Sequence, residues 1–327
     1  MQELFNTFRK LRIAIIGDIM LDTYLFGKTD RVSPEAPVPV VLLHSSDQRL
    51  GGAANVALNI KALGATAVLF SVCGDDENGK AILEVMKENG ISTSSIIKQR
   101  SRITTCKTRV LAQGHQIVRI DAEQTDDISG ATENALLEKF ETALVKGNID
   151  ALILQDYNKG VLTTKGIRKI LALCKKHKVP VSVDPKEKNF FAYKGCTLFK
   201  PNLRELRSSL NKNIPATYTA LQSAMRTLEP MIAAQIILVT LGDEGIFLRN
   251  NGKHFHISGH VRNVADVSGA GDTVISIATL CLAAGTDMQT LAALSNLGGG
   301  IVCEYAGVVP IDADRFRDEA EFLMLQH

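Results

Sequence analysis

The sequence predicts an α/β fold whose mainly parallel sheet is doubly wound, with a small β lid at its side. Three observations carry that expectation. Short apolar runs alternate with long helical stretches, the pattern of strands joined by crossover helices and covered on both faces. Polar residues follow the apolar runs at Asp18, Gln155-Asp156, Asp184-Pro185-Lys186, Lys200-Pro201-Asn202 and Thr240-Leu241-Gly242, and in an open α/β sheet such strand ends share one edge. Between Ser92 and Asp121 the alternation stops, and two β segments flank Gln113-Gly114-His115 as a hairpin, better placed in a lid than in the main sheet.

Taken in order, Ile13–Ile16 reads as a buried strand stopped at Gly17-Asp18, with Asp22 close behind. Arg31–Val40 contains Pro34, Pro37 and Pro39, so it is extended and unfit for a central strand, and Val40–Leu43 reads as an edge strand. A helix opens at Gly51-Gly52 and runs to Leu63, where Gly64 stops it. Ala67–Val72 is a strand, Gly74–Gly79 a loop and Lys80–Asn89 a helix. Thr104–Leu111 and Gln116–Ile120 form the lid hairpin. Then come helix Ala131–Lys146, strand Ala151–Leu154, helix Thr164–His177 and strands Val179–Val183 and Thr197–Phe199. Helices from Asn202 and over Thr217–Leu228 lead to strand Gln235–Thr240 and a hairpin of Gly245–Leu248 with His254–Ile257. Helices around Met288–Tyr305 and Asp312–Leu323 finish the chain. With no internal repeat or low-complexity linker, residues 1–327 are expected to form one domain, its lid drawn from about 18–50 and 92–121.

Composition narrows the function. At 327 residues, 45% hydrophobic and 22% charged, the chain has the make-up of an ordinary globular protein with a large core. A formal charge of +2 gives no field for nucleic acid or an acidic membrane, and the lack of Trp argues against a base-stacking platform. The six Cys show neither C-x-x-C spacing nor a partnered His, which disfavours zinc and a disulfide framework. Met1–Arg12 lacks the apolar core of a signal peptide, and Val274–Ala284 is too short to span a bilayer. A cytoplasmic protein is expected.

Two nucleotide motifs fail. Gly74–Ala81 nearly matches a P-loop, but Ala81 has no hydroxyl for Mg²⁺, and Asp75, Asp76 and Glu77 would repel phosphates. The G-x-G-x-x-G fingerprint is absent from the first strand–helix turn. What remains is Asp266-Val267-Ser268-Gly269-Ala270-Gly271-Asp272-Thr273, ahead of an apolar helix. Small residues let a backbone approach a ligand, and a helix starting there aims free N–H groups at it, which makes an anion site. Asp272 in that first turn can be a cap worth about 1 kcal/mol or a general base beside a phosphate chain. These residues alone leave both open.

Gly51-Gly52-x-x-Asn55-x-Ala57, with Gly64 and Gly74 at matching distances, resembles the first signature of the ribokinase-like (phosphofructokinase-B) sugar kinases. Asp266-x-x-Gly269-Ala270-Gly271-Asp272 resembles the second, and the likeness extends from Leu11 to about Asp312. Gly17–Asp22, Arg31–Val40, Gln155–Gly160, Asp184-Pro185-Lys186 and Pro201–Glu205 are similar, more narrowly, to the D-glycero-β-D-manno-heptose-7-phosphate kinases. Gln155 departs from the Ser common at its position, and Gly298-Gly299-Gly300 replaces an Ala-rich stretch near the expected adenine pocket. Some of these kinases carry a nucleotidyltransferase domain after the kinase. The sequence to His327 leaves no room for one, so a stand-alone kinase domain is expected.

The resemblance implies a ribokinase-like three-layer sandwich and ATP-dependent phosphorylation of heptose 7-phosphate at its anomeric hydroxyl. Asp272 would be the base, and the amides of Gly269, Ala270 and Gly271 the anion hole. Asp18, Gly51, Gly52, Asn55 and Asp156 would bind the sugar. Asn202, Leu203, Arg204, Glu205, Thr240, Gly242, Gly245 and Asn296 would bind ATP, with Glu205 holding Mg²⁺ through water. A monovalent cation is a further candidate cofactor. Lys107, Arg109, Arg119 and Lys186 are the candidates for the substrate phosphate. Lys107 and Arg109 share a strand face and could clamp it, or could simply protect an edge strand from aggregation. A homodimer through the lid is expected, with a kinase of the same family for another sugar phosphate or a nucleoside, or a non-catalytic sugar- or nucleotide-binding regulator, as the rival functions.

Overall fold

The structure is a computed structural model and describes residues 1–325. The chain starts with α1 (Gln2–Phe8), β1 (Arg12–Gly17), β2 (Ile19–Val32), β3 (Pro39–Gly52), α2 (Ala53–Ala62), β4 (Thr66–Gly74), α3 (Glu77–Glu88) and β5 (Ile96–Gln99). It continues with β6 (Cys106–Ala112), β7 (His115–Ala122), α4 (Gly130–Val145), β8 (Ala151–Gln155), α5 (Thr164–His177), β9 (Val181–Asp184) and β10 (Leu198–Phe199). Then follow α6 (Leu203–Leu210), α7 (Tyr218–Ile232), β11 (Ile236–Thr240), β12 (Ile246–Asn250), β13 (Lys253–Ile257), α8 (Ala270–Ala284), α9 (Met288–Val302) and α10 (Ala313–Leu325).

Nine strands form the main sheet in the order β13-β12-β11-β10-β9-β8-β1-β4-β5. Every pair from β5 to β11 is parallel, and the β12–β13 hairpin closes one edge antiparallel. Alternate side chains of β1 explain why helices lie on both sides. Ile13 and Ile15 join a core with α2, α8 and α9, whereas Ala14 and Ile16 join a second core with α4, α5 and α7. The result is the three-layer α/β sandwich that the alternating pattern predicts. From β1 the chain first builds toward β4 and β5, then returns to the other side of β1 with β8. That reversal makes the carboxyl ends of β1 and β8 the crevice of the fold.

A second sheet of four strands has the order β3-β2-β6-β7. Its hairpin β2–β3 is far longer than the edge strand expected at Val40–Leu43, and Ile19–Val32 was expected only as part of the lid region 18–50, not as a defined strand. Register shifts between Phe26 and Gly27 and between Thr29 and Arg31 explain why period-two alternation is lost there. The prolines still act as predicted, since Pro34 and Pro37 lie in the turn and Pro39 begins the edge strand β3. In the β6–β7 hairpin, Gln113 and Gly114 both have positive φ (52° and 82°), as a tight two-residue turn needs.

Other boundaries moved for local reasons. Gly51-Gly52 closes β3 instead of opening a helix, and α2 begins at Ala53. Helix α3 starts at Glu77, inside the expected loop, because Asp76 caps it by accepting the Gly79 N–H at 2.7 Å. That carboxylate sits on the helix N-terminus that a P-loop would offer to phosphate. Helix α7 passes through Pro230 to Ile232, where Leu228 and Ile232 are fully buried. Helix α9 ends at Val302, short of the expected Tyr305. Among the described residues no helix is long and apolar enough to cross a membrane.

Candidate active site

Helix α8 enters the crevice at its N-terminus. Gly269 precedes it at φ 84°, left-handed backbone that suits glycine. A Cβ at Gly269 would also lie 3.0 Å from Asn55 Nδ2, so the turn is closed to larger residues. Of the three amides expected to form an anion hole, that of Ala270 turns back to Val267 O at 3.3 Å. No protein acceptor meets those of Gly269 and Gly271 among the described residues, nor that of Asp272, so three N–H groups are free at this end of the helix.

Asp272 lies in the first turn of α8, 2% exposed. Three neutral donors hold its carboxylate. Asn55 Nδ2 donates to Oδ2 at 2.8 Å, Gln155 Nε2 to Oδ1 at 2.9 Å and the Tyr157 hydroxyl to Oδ1 at 2.8 Å. Burial pushes its pKa up to about 7, with the Asn55 and Tyr157 bonds opposing, Asp184 adding and Lys200 opposing. A buried carboxylate poised near neutrality, with no ion pair of its own, has the properties of a general base. Nothing in these contacts is a helix cap, since its side chain accepts no backbone N–H.

The neighbouring strand ends supply charge. Lys200, 2% exposed, reaches Asp184 Oδ2 at 3.1 Å, and a Cβ on Gly271 would come within 3.6 Å of its Nζ. Lys186 pairs with Glu205 and lies over the Tyr157 ring at 5.5 Å. It therefore stands with the expected nucleotide residues. Asn202 and Glu205 form a capping box on α6, with Asn202 N to Glu205 Oε2 at 2.9 Å and Glu205 N to Asn202 Oδ1 at 2.8 Å. Leu203 and Arg204 share that first turn, and Thr240 bridges to Asn202 from β11. Gly242 is exposed, Asn296 donates to Ser258 O at 2.8 Å, and a Cβ on Gly245 would sit 2.0 Å from Ile257 O. Among the described residues no group of three or more His, Cys, Asp or Glu could hold a metal ion. Both Glu205 oxygens are engaged, so Mg²⁺ would meet this carboxylate through water and take its other ligands from phosphates, which suits that ion.

Two expected sugar ligands face elsewhere. Asp18, 1% exposed, accepts the backbone N–H groups of Tyr157, Lys159 and Val161 at 2.9, 3.1 and 3.0 Å, which fixes the loop after β8. Asp156 accepts from Tyr193, Asn189 and the Asn158 N–H within the second core. Burial, then the nearby Asp18 charge, pushes its pKa up to about 6. Asp22, to which the sequence attached no role, stands instead beside the glycine pair: a Cβ on Gly51 would meet its Oδ2 at 2.0 Å. A Cβ on Gly52 would meet Asp18 O at 2.4 Å.

The expected phosphate clamp lies on one face of the small sheet. Pairing sets Lys107 opposite Asp121 and Asp22, and Arg109 opposite Arg119 and Tyr24. Arg109 is bound to Asp22 at 2.5 Å and stacks on Tyr24 at 5.2 Å. Lys107 and Arg119 both approach Asp121, at 3.9 and 2.8 Å. The same face reaches the anion turn, because Tyr24 accepts the Val308 N–H at 3.0 Å and Val308 packs on Gly269.

An α/β sandwich with a buried carboxylate at a helix N-terminus, free amides around it and a second sheet beside the strand ends has an architecture suited to a phosphotransferase acting on a small hydroxylated substrate. Residues 10–314 match the profile of the pfkB family carbohydrate kinases. The chain belongs to that family and is an ATP-dependent sugar kinase of ribokinase-like fold. It is 39% identical over 308 residues to the bifunctional protein HldE of Trichlorobacter lovleyi, covering 94% of this chain and 62% of that protein. With HldE of Pelobacter propionicus it is 40% identical over 307 residues, again covering 94% and 62%. The chain thus spans a little over three-fifths of the length of these curated relatives. Escherichia coli phosphofructokinase-2 in complex with substrates and products superposes with a TM-score of 0.79 at 17% identity, covering 96% of this chain and 99% of that one. Arabidopsis thaliana ribokinase with ribose and ATP gives 0.73 at 17%, covering 95% and 99%.

Proposed function

We propose that the enzyme transfers the γ-phosphoryl group of ATP to the anomeric hydroxyl of D-glycero-β-D-manno-heptose 7-phosphate. The product, the 1,7-bisphosphate, belongs to the supply of ADP-heptose for the lipopolysaccharide core. The observation that carries the chemistry is Asp272, buried and hydrogen-bonded at the N-terminus of α8. The choice of sugar rests on the Arg31–Val40 segment and on the basic inner face of the small sheet.

In this reading Asp272 removes the hydroxyl proton as that oxygen bonds to the γ-phosphorus. The bond from phosphorus to the β–γ bridging oxygen breaks, and ADP leaves with its electron pair. The amides of Gly269 and Gly271 stabilise the charge on the equatorial oxygens, and phosphoryl transfer depends mainly on such positioning and neutralisation. Glu205 would hold Mg²⁺ through water, and the ion, when bound with ATP, would supply neutralising charge to the triphosphate. Asp22, Gly51, Gly52 and Asn55 bind the sugar hydroxyls, and Lys107 and Arg119 take the 7-phosphate by exchanging Asp121 for it. The six free cysteines suit a cytoplasmic enzyme.

We also propose a homodimer through the small sheet. Val118 and Ile120 line its other face with Val110, and are 47% and 57% exposed. Every residue of β7 is exposed, which leaves an unpaired edge beside an apolar face.

The test is ADP release across a panel of sugar phosphates, with Asp272→Asn as the blank. Fast turnover of heptose 7-phosphate is expected. Fast turnover of fructose 1-phosphate beside none of heptose 7-phosphate would overturn the choice of sugar and leave the family intact.

A further inference from the structure

Gln155 ends β8 fully buried, with both hydrogens of its amide spent on carboxylates. Nε2 donates to Asp272 Oδ1 at 2.9 Å and to Asp184 Oδ2 at 3.1 Å. Its Oε1 is buried with no donor among the described residues. An unpaired buried acceptor is unfavourable, so the amide is turned by what its nitrogen serves. Two residues on, Tyr157 donates its hydroxyl to the same Asp272 Oδ1 at 2.8 Å. Among the described residues Asn55 alone serves Oδ2, at 2.8 Å.

A carboxylate oxygen accepts about two hydrogen bonds. Oδ1 already has two, and Oδ2 has one. We infer that Gln155 and Tyr157 are positioning residues that saturate Oδ1 and leave Oδ2 as the single atom of Asp272 able to take the sugar proton. The inference rests on the reading of Asp272 as the base.

The arrangement gives the proton transfer a direction. The hydroxyl hydrogen moves to Oδ2 on the side left open by Asn55, so the attacking oxygen is held on the Asn55 and Gly269 side of the carboxylate, beside the free amides. Tyr157 remains a donor throughout, because burial and then the Asp272 charge hold its hydroxyl protonated. The charged groups facing Asp272 are Asp184 and Lys200 at the strand ends, with Lys186 beyond the Tyr157 ring. Gln155 separates the two carboxylates, so the amide also keeps Asp184 from approaching the base directly.

Tyr157→Phe keeps the ring under Lys186 and deletes only the donor. Losing one hydrogen bond to an ionised group is expected to lower kcat about ten- to a hundredfold, with KM for ATP and for the sugar phosphate within about twofold. The acid limb of the pH profile moves to higher pH, because the ionised form has lost a donor. Gln155→Met, close in volume, is expected to do the same. A second readout does not depend on turnover: the titration midpoint of the Asp272 carboxyl ¹³C resonance in the free enzyme is expected to move up in Tyr157→Phe. Wild-type kcat and acid limb in a Tyr157→Phe protein of unchanged melting temperature would overturn the inference. Activity surviving in Asp272→Asn would instead sink the base assignment beneath it, so the two failures are distinguishable.

Discussion

Asn55 Nδ2 lies 2.8 Å from Asp272 Oδ2 and joins residues 217 positions apart in the chain. One turn further along α2, Asn59 Oδ1 accepts from the hydroxyl of Thr273, the residue after Asp272, at 3.1 Å and from the Ile311 N–H at 3.0 Å. A buried polar seam therefore fixes α2 against α8, and Asp272 inherits its position from that seam. Low local dielectric makes such a network strong when satisfied and costly when broken.

Asn55→Ala removes the donor to the base and leaves its carboxylate less supported. The expected loss is about 1.5–3 kcal/mol in the transition state, or roughly ten- to a hundredfold in kcat/KM. Steady-state kinetics with both substrates varied checks it, beside a melting curve. Wild-type kcat/KM would show that the seam plays no part in catalysis.

Activity is expected to follow the ionisation of Asp272. With its pKa pushed up to about 7, first by burial, kcat/KM rises with pH through that region and levels off above it. Stability runs the other way. The folded value lies above the ordinary 3.8, so the protonated form is favoured in the fold. That contribution is complete at pH values below about 4, and is lost as pH rises through about 7. Asp272→Asn, always neutral, is expected to melt higher than the wild type at pH 8 and to match it at pH 4. Calorimetry at the two pH values decides this, and an equal offset at both would contradict the linkage.

The alternation of strands and helices was legible because a sheet covered on both faces leaves a strong apolar trace, as in Ile13–Ile16. Asn55 and Asp272 each stood out because each sits in a short local pattern, but the hydrogen bond between them was not visible. Strand β2 was not, since its bulges break the period and its pairing with β3 turns over Ser33–Val38. The task of Asp18 was hidden too, because its partners Tyr157, Lys159 and Val161 lie 139 to 143 positions away. Gln155 and Tyr157 were visible as polar residues at a strand end, but only the folded crevice shows that both address one oxygen.

The glycine run of α9 has a packing role that sequence could not separate from a nucleotide role. A Cβ on Gly298 would lie 2.0 Å from Ile277 Cδ1 and 3.1 Å from Ile311 Cδ1, and one on Gly299 would lie 2.7 Å from Val274 Cγ2. These glycines let α9 lie close to α8. Gly298→Ala overpacks that contact and is expected to cost about 1–3 kcal/mol, with KM for ATP unchanged. Denaturant melts and ATP titration separate the effects. A raised KM at unchanged stability would return the run to the adenine pocket.

The basic residues of the small sheet are expected to divide by burial. Arg109 and Asp22 are 11% and 3% exposed, and removing the cation leaves a buried carboxylate unpaired. Arg109→Ala is therefore expected to lose about 3–5 kcal/mol of stability. Lys107 is freer, at 20% exposure and 3.9 Å from Asp121, so Lys107→Ala should cost at most about 1 kcal/mol. Its effect should appear as a raised KM for the phosphorylated sugar and not for ATP. An equal effect on an unphosphorylated sugar would remove Lys107 from the phosphate site.

The last expectation concerns the opposite face of the same sheet. Strand alternation points Lys107, Arg109, Arg119 and Asp121 one way and Val110, Val118 and Ile120 the other. An exposed apolar face beside the unpaired edge β7 invites a second copy, and a charge placed there should reject it. Ile120→Lys replaces a 57% exposed side chain opposite Thr108, where the fold itself has little to lose. Light scattering should then report a dimer for the wild type and a monomer for Ile120→Lys, with melting temperatures compared at equal protein concentration. If the small sheet is braced by its partner, the monomer should also show a raised KM for the sugar phosphate, because Lys107 and Arg119 share the strands that the partner covers. A wild-type monomer, or a dimer unmoved by the lysine, would contradict this interface.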